Sequence, residues 1–330
     1  LKEKEALFKN VYARELKKIE KNITAAFKGK KPRSLYEPSE FIMKSGGKRL
    51  RPMLVLFSAW AAGGKFSSVI NAALAVELIH NFTLVHDDIM DNAAKRRNRL
   101  TLHNKYDLNT AILTGDNLIP IAYDYLLKDI KNGSLKIVSD FTKAIRVVCE
   151  GQSLDEDFEI RKEVTIREYK EMISKKTAAL LEMCCSIGAQ IVCDDKTIVR
   201  KLENYGRSLG MAFQLKDDLL DLTANETKFG KVPGGDLIEG KKTFLLINAL
   251  ETAKGKDLRE LKRLVKNRGI TADEVGKFRD MFIRLGVVEN TKKQIKLYTN
   301  KAIKNLDGMP NPDASELLTW LALELTAREN

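Results

Sequence analysis

Six aspartates, in two clusters, carry the clearest chemical signal in this chain. Asp87-Asp88-Ile89-Met90-Asp91 and Asp217-Asp218-Leu219-Leu220-Asp221 both read DDxxD. On a helix, positions i and i+4 share a face and i+1 lies beside them. Each cluster therefore directs three carboxylates toward one point. Like charges so placed repel, and aspartate is a poor helix former, so the arrangement costs stability unless a cation sits against it. Mg²⁺ suits it. This ion prefers oxygen ligands, usually takes one or two carboxylates, and completes its shell with water and substrate phosphate oxygens. Two such faces turned toward each other would hold Mg²⁺ with a diphosphate between them. A single DDxxD is equally well a solvated acidic helix face. Two copies, each embedded in apolar helix, argue against that plain alternative.

Helical geometry adds two residues. At about 100° per residue, His80 falls near the mean direction of Asp87, Asp88 and Asp91, and Gln214 near that of Asp217, Asp218 and Asp221. A buried polar group needs partners, so both are expected to face a polar cavity or a ligand. The plain alternative for His80 is a satisfied core histidine.

Basic residues answer the carboxylates. Gly46-Gly47-Lys48-Arg49-Leu50-Arg51-Pro52 sets cations beside glycines that let backbone approach a ligand. Arg96-Arg97 follows the first cluster. Gly230-Lys231 and Gly240-Lys241-Lys242-Thr243 follow the second. Each basic element alone is a weak signal. Two acidic clusters each trailed by cations describe a site for two diphosphates, one bridged through metal and one held directly by Lys and Arg.

The elements that must position these residues read as helices. The chain has 330 residues, 44% hydrophobic and 31% charged, with 7 prolines and 20 glycines. Helical periodicity dominates and no long strand-like alternation occurs. Breaks fall at Lys28–Pro32, Gly63-Gly64, Asn132–Ser134, Thr223–Gly240, Asn267–Thr271 and Asp307–Pro312. Ser67-Ser68 predicts an N-cap for a helix running to about Ala94, and a second helix is predicted over Thr197–Leu222. The composition shows no linker, so one all-α domain over residues 1–330 is expected. No apolar run is long enough to span a bilayer, and the charged start Leu1–Lys4 shows no signal-peptide pattern. Cys149, Cys184, Cys185 and Cys193 match no zinc or redox spacing and are expected to be reduced core thiols of a cytoplasmic protein. The net charge of +12 is spread along the chain and mixed with acids. It fits a solvated surface or attraction of polyanionic small molecules better than a nucleic-acid partner.

The pattern as a whole resembles the trans-isoprenyl diphosphate synthases, the polyprenyl synthetase family. The resemblance runs from about Gly46 to the C-terminus, through Gly46–Pro52, Leu78-Ile79-His80, Val85–Asp91, Arg96-Arg97, Ala111–Asp116, Gly151-Gln152 with Asp155, Lys176-Thr177, Phe213–Asp221 and Gly230–Thr243. It implies the isoprenoid synthase fold, with helices surrounding a deep central cavity, and a homodimer. It also implies Mg²⁺-dependent condensation of isopentenyl diphosphate with an allylic diphosphate. On this resemblance Asp87, Asp88, Asp91, Asp217, Asp218 and Asp221 would hold Mg²⁺ on the allylic diphosphate. Arg96, Lys176, Lys231 and Lys241 would contact that diphosphate. Lys48, Arg51, His80 and Arg97 would bind isopentenyl diphosphate without metal, and Thr177 and Gln214 would face the developing allylic cation. The chain departs from the family at Asn98, where glycine is usual, and at Leu100, where proline is usual. Asparagine tolerates left-handed backbone, so local loop shape rather than chemistry is at stake.

Product length is expected from the residues just before the first motif. Phe82 stands five residues before Asp87 and Thr83 four before. One aromatic at the earlier place, with no insertion in DDxxD, resembles enzymes forming geranylgeranyl diphosphate (C20). Farnesyl or longer products are the alternatives. A straight-helix wheel puts Phe82 away from the aspartate face, so this role comes from the resemblance. A terpene cyclase would carry a different second motif, and a non-catalytic partner subunit would commonly have lost one.

Overall fold

Helices account for nearly all of the regular structure, as the periodicity requires. The computed structural model describes residues 2–130, 134–223 and 234–327. In chain order the helices are α1 (Lys2–Phe27), α2 (Arg33–Met43), α3 (Leu50–Ala61), α4 (Ile70–Met90), α5 (Leu102–Lys105), α6 (Leu108–Asp129) and α7 (Leu135–Ile160). Then follow α8 (Ile166–Ile173), α9 (Ala179–Val192), α10 (Lys196–Thr223), α11 (Gly235–Ile238), α12 (Phe244–Thr252), α13 (Gly255–Asn267), α14 (Val275–Arg284), α15 (Val287–Lys304) and α16 (Pro312–Ala327). Among the described residues the only sheet is a hairpin of β1 (Lys95–Arg96) and β2 (Arg99–Leu100).

The chain forms two compact units. The first comprises Leu1–Phe141, Cys184–Leu202 and Gly308–Leu318; the second comprises Thr142–Met183, Glu203–Asp307 and Thr319–Asn330. In the first unit α4 is the central helix. It packs against α3 and α6 and is buried without interruption from Ala72 to Phe82, so only its last two turns reach polar surroundings. The second unit has its own core, in which Tyr169, Leu215, Leu219, Phe244, Phe278 and Phe282 are fully or almost fully buried.

The first acidic motif closes α4, with Asp91 as its C-cap residue, and the second occupies the last turns of α10. The predicted helix over Thr197–Leu222 matches α10 within a residue at each end. The other prediction needs correction at both ends. Ser67 and Ser68 lie in a 3₁₀ turn, Phe66–Ser68, and α4 starts after Val69 with no side-chain cap. Its end comes four residues before Ala94, because the chain turns at Asn92 (φ 48°) into the hairpin. The hairpin turn is Arg97-Asn98, both left-handed at φ 51° and 61°, with Arg96 paired to Arg99. Positive φ at both central residues is the tight-hairpin geometry, and it explains why asparagine is acceptable at position 98.

All four cysteines are free. Cys184 and Cys185 are core thiols as expected and Cys193 is half-buried, but Cys149 is exposed on α7, a correction to the expectation that all four are buried.

Candidate active site

In the first unit the motif Asp87–Asp91 meets the hairpin. Arg96 sends Nε to Asp88 Oδ1 at 2.6 Å and Nη2 to Asp87 Oδ2 at 3.0 Å, so one guanidinium bridges two neighbouring carboxylates. Asp88 is buried, and its other oxygen, Oδ2, has no hydrogen-bond partner. Burial raises the Asp88 carboxyl above its ordinary range, and Arg96 pulls it back.

The Gly46–Pro52 element divides its cations. Lys48 is exposed, and its carbonyl accepts the Tyr12 hydroxyl. Arg49 turns inward. It is 3% exposed, in left-handed conformation, and donates to Glu77 Oε1 (2.6 Å), Glu20 Oε1 (2.7 Å) and the Met43 carbonyl. Arg51 lies 3.0 Å from His80 Nε2. His80 is buried, and burial followed by Arg51 and Arg97 lowers its pKa well below the histidine norm. The ring is therefore neutral. With Nε2 accepting from the guanidinium, Nδ1 carries the proton, and that buried atom has no partner. Arg97 donates to the Gly46 carbonyl, and its guanidinium covers Gly47 (φ +124°), where any Cβ would overlap it. Arg51 and Arg97 thus act on His80 in one polar region, while Lys48 is placed through its carbonyl contact with Tyr12.

Phe82, one turn before the motif, is buried with its ring 4.8 Å from that of His86. The Thr83 hydroxyl donates to the His80 carbonyl.

In the second unit a cavity of about 140 Å³ gathers Asp155, Lys176, Thr177, Gln214, Asp218, Asp236 and Lys241. Lys176 and Thr177 sit in a one-turn π-helical segment, Ser174–Ala178, between α8 and α9. Such widened turns recur at functional sites. Two glycines permit it. A Cβ on Gly151 of α7 would overlap the Lys176 backbone nitrogen, and one on Gly210 of α10 would press on Ala178. A polar relay crosses the cavity wall. Thr177 Oγ1 donates to Gln214 Oε1 (2.7 Å), Gln214 Nε2 donates to Asp218 Oδ1 (3.0 Å), and the Tyr169 hydroxyl donates to Asp218 Oδ2. Lys176 pairs with Asp155 at 2.6 Å, and Lys241 with Glu239 at 2.9 Å.

Burial lifts the Asp218 carboxyl to about 6, against the opposing hydrogen bonds from Tyr169 and Gln214. Asp236 rises to about 8, through burial first and then the charges of Asp221 and Asp218, with Lys241 opposing. Asp221 is tied to the same corner: its Oδ2 accepts the Asp236 amide (2.9 Å) and its carbonyl the Gly234 amide (2.7 Å).

The three aspartates of a motif are not equivalent, as the expectation of a common focus had them. In each, the second residue is buried, Asp88 or Asp218, and a neighbour is exposed, Asp91 or Asp217. Among the described residues no three His, Cys, Asp or Glu side chains gather into a metal-holding group. Lys231 lies outside the described residues. Sequence reasoning missed Tyr169, Asp236 and the inward turn of Arg49. A glycine pair before Asp236 was the one available signal for that residue.

Known proteins extend the picture. The polyprenyl synthetase family model matches residues 32–281. The chain is 46% identical over 224 residues to a geranylgeranyl diphosphate synthase of Methanosarcina mazei, covering 67% of this chain and 69% of that protein. It is 36% identical over 316 residues to a geranylgeranyl pyrophosphate synthase of Geoglobus acetivorans, covering 95% and 97%. The crystal structure of a geranylgeranyl pyrophosphate synthetase from Pyrococcus horikoshii superposes with a TM-score of 0.92 at 37% identity, over 98% of this chain and 99% of that one.

Proposed function

The chain belongs to the polyprenyl synthetase family and is a trans-prenyltransferase, and from that premise we propose that it condenses isopentenyl diphosphate with allylic diphosphates to give geranylgeranyl diphosphate. Among the described residues no helix is long and apolar enough to cross a membrane. We take residues 1–330 to act as one polyprenyl synthetase domain, in a cytoplasmic homodimer.

The donor set fits Mg²⁺. Every candidate ligand is a carboxylate oxygen, the choice of a hard cation. Asp88 Oδ2 is buried without a partner, and burial and mutual repulsion raise Asp218 and Asp236, as expected of sites that gain from an added cation. Asp87, Asp88 and Asp91 in one motif, and Asp217, Asp218 and Asp221 in the other, would hold the ions, with Asp236 beside the second. Without a three-carboxylate cage, water and diphosphate oxygens would complete the shell. Bound Mg²⁺ would supply charge neutralisation on the leaving diphosphate.

The chain's own groups do the rest. Arg96, Lys176, Lys231 and Lys241 bind the allylic diphosphate and stabilise its growing charge as the C–O bond ionises. Lys48, Arg51, Arg97 and neutral His80 orient isopentenyl diphosphate, with His80 Nδ1–H as a donor. Thr177 and Gln214 present dipoles and no strong nucleophile to the cation. Phe82, with Thr83 beside it, limits chain growth.

The observation that carries this reading is Arg96 spanning Asp87 and Asp88: the end of α4 is built to hold positive charge against paired carboxylates. The test is elongation from dimethylallyl, geranyl and farnesyl diphosphate, each with Mg²⁺ and with EDTA, read by mass spectrometry. Mg²⁺-dependent C20 product is expected. C15 or longer product keeps the enzyme class and overturns the length. No elongation from any primer overturns the synthase reading in favour of a partner subunit, and a cyclic hydrocarbon or alcohol overturns it in favour of a cyclase.

A further inference from the structure

We infer that a groove formed by α10, α14, α15 and α16 in the second unit binds an elongated prenyl diphosphate away from the aspartate motifs. The identity of this ligand rests on the prenyltransferase reading. The groove encloses about 790 Å³, within the range of about 300–1,000 Å³ usual for small-molecule sites. Its buried lining joins Leu219 and Ile295 to Lys216 and Thr299. Its walls include Ile283 and Leu323, which are 57% and 47% exposed. Apolar side chains left open around one recess mark a surface awaiting a partner. Lys292 and Lys296, one turn apart on α15, stand on its rim. Both are exposed, and among the described residues neither is held in an ion pair. A recess that offers apolar side chains from all four helices and two exposed cations complements a ligand with a hydrocarbon tail and a multiply charged head. The recess favours a single dispersed molecule over a flat membrane surface.

The groove is separate from the catalytic face. At about 100° per residue, Lys216, Leu219, Leu220 and Thr223 of α10 point roughly 150° away from Gln214, Asp217, Asp218 and Asp221. An occupant there would not compete for the carboxylates, and would rest on the same turns that carry them.

The test is equilibrium dialysis of the intact protein with labelled geranylgeranyl diphosphate in EDTA, where metal-dependent binding is suppressed. Saturable binding is expected, weakened about tenfold or more by Lys292→Glu/Lys296→Glu and separately by Ile283→Asp. All three positions are exposed, and melting curves confirm that the variants fold. Geranylgeraniol and inorganic diphosphate, each holding half of the ligand's chemistry, should compete at least about tenfold less well. Equal binding by wild type and both variants overturns the groove. So does displacement by inorganic diphosphate alone, or attachment to phosphatidylglycerol vesicles without binding of dispersed ligand. The initial elongation rate of Lys292→Glu/Lys296→Glu should match wild type. A protein that elongates normally but shows variant-independent dialysis loses the groove and keeps the enzyme. One that elongates from no primer loses the enzymatic reading, and the groove is then decided by the dialysis.

Discussion

The Tyr169 hydroxyl donates to Oδ2 of Asp218, the buried middle carboxylate of the second aspartate motif, while Gln214 donates to its Oδ1. Both oxygens are thus oriented from within the protein. Hydrogen bonds to an ionised group contribute about 1.5–3 kcal/mol each. Tyr169→Phe should therefore lower kcat/KM for elongation by about tenfold to a hundredfold, with a smaller effect on the melting temperature. Steady-state kinetics across a Mg²⁺ series, beside a thermal melt, would check this. An unchanged kcat/KM would mean that Asp218 needs no help from Tyr169.

Arg49 and Glu77 form an ion pair whose side chains are 1% and 3% exposed. Removing one partner of such a pair leaves an uncompensated buried charge and costs about 3–5 kcal/mol. Arg49→Ala should lower the urea midpoint accordingly. Arg49→Met combined with Glu77→Leu should recover much of the loss, because the desolvation cost of both charges disappears together. A double variant as unstable as the single one would show that the contacts to Glu20 and the Met43 carbonyl dominate.

These residues show what could be read in advance and why. The two aspartate motifs on helices, the helix expected over residues 197–222 and the hairpin-tolerant Asn98 follow from local spacing and backbone preference, which a sequence displays directly. The inward turn of Arg49 does not. Lys48, Arg49 and Arg51 look alike in sequence, and only the placement of Glu77 on α4 decides which one is buried. Tyr169 lies 49 positions from Asp218, and no local pattern links them. The π-helical turn at Lys176-Thr177 depends on Gly151 and Gly210, which come from two other helices.

That dependence gives a third prediction. A methyl group at Gly151 would overlap the Lys176 backbone nitrogen, and backbone cannot swing aside as a flexible side chain does. Overpacking of this kind costs about 1–3 kcal/mol. Gly151→Ala should also displace Lys176 and Thr177 and reduce kcat by about a hundredfold. Gly276→Ala, where nothing lies within 4 Å of the added carbon, serves as the control and should leave kcat unchanged.

His80 predicts a pH dependence of stability. Its folded pKa is depressed by burial and by Arg51, while the unfolded value is about 6.5. Between the two values the unfolded chain binds a proton that the folded one does not, so stability rises with pH there. The contribution is fully present above about pH 6.5 and falls as pH drops below it, by up to about 1.4 kcal/mol per pH unit. From pH 7 to pH 5 the raised Asp218 and Asp236 carboxyls, protonated in the fold before they are in the unfolded chain, pull the other way. The His80 contribution is therefore read as a difference: the urea midpoint of the wild type should fall relative to that of His80→Gln as pH drops. Parallel curves would assign the acid sensitivity to another group.

Phe82 offers the last prediction. It is buried one turn before Asp87, with its ring 4.8 Å from that of His86, and the α6 glycine at position 115 lets His86 pack closely, since a Cβ there would overlap the imidazole. The aromatic pair therefore has little freedom to move aside, and in the proposed function it is the point at which a growing chain would stop. Phe82→Ala removes the ring and opens space beside His86, so the product distribution should shift from C20 toward C25 and C30. The stability loss should be about 3–5 kcal/mol, as for other buried Phe→Ala changes. Phe82→Leu, which preserves more volume, should shift the products less and fold more stably. Mass spectrometry of products from farnesyl diphosphate distinguishes the outcomes. An unchanged distribution in a folded Phe82→Ala enzyme would move the length limit elsewhere.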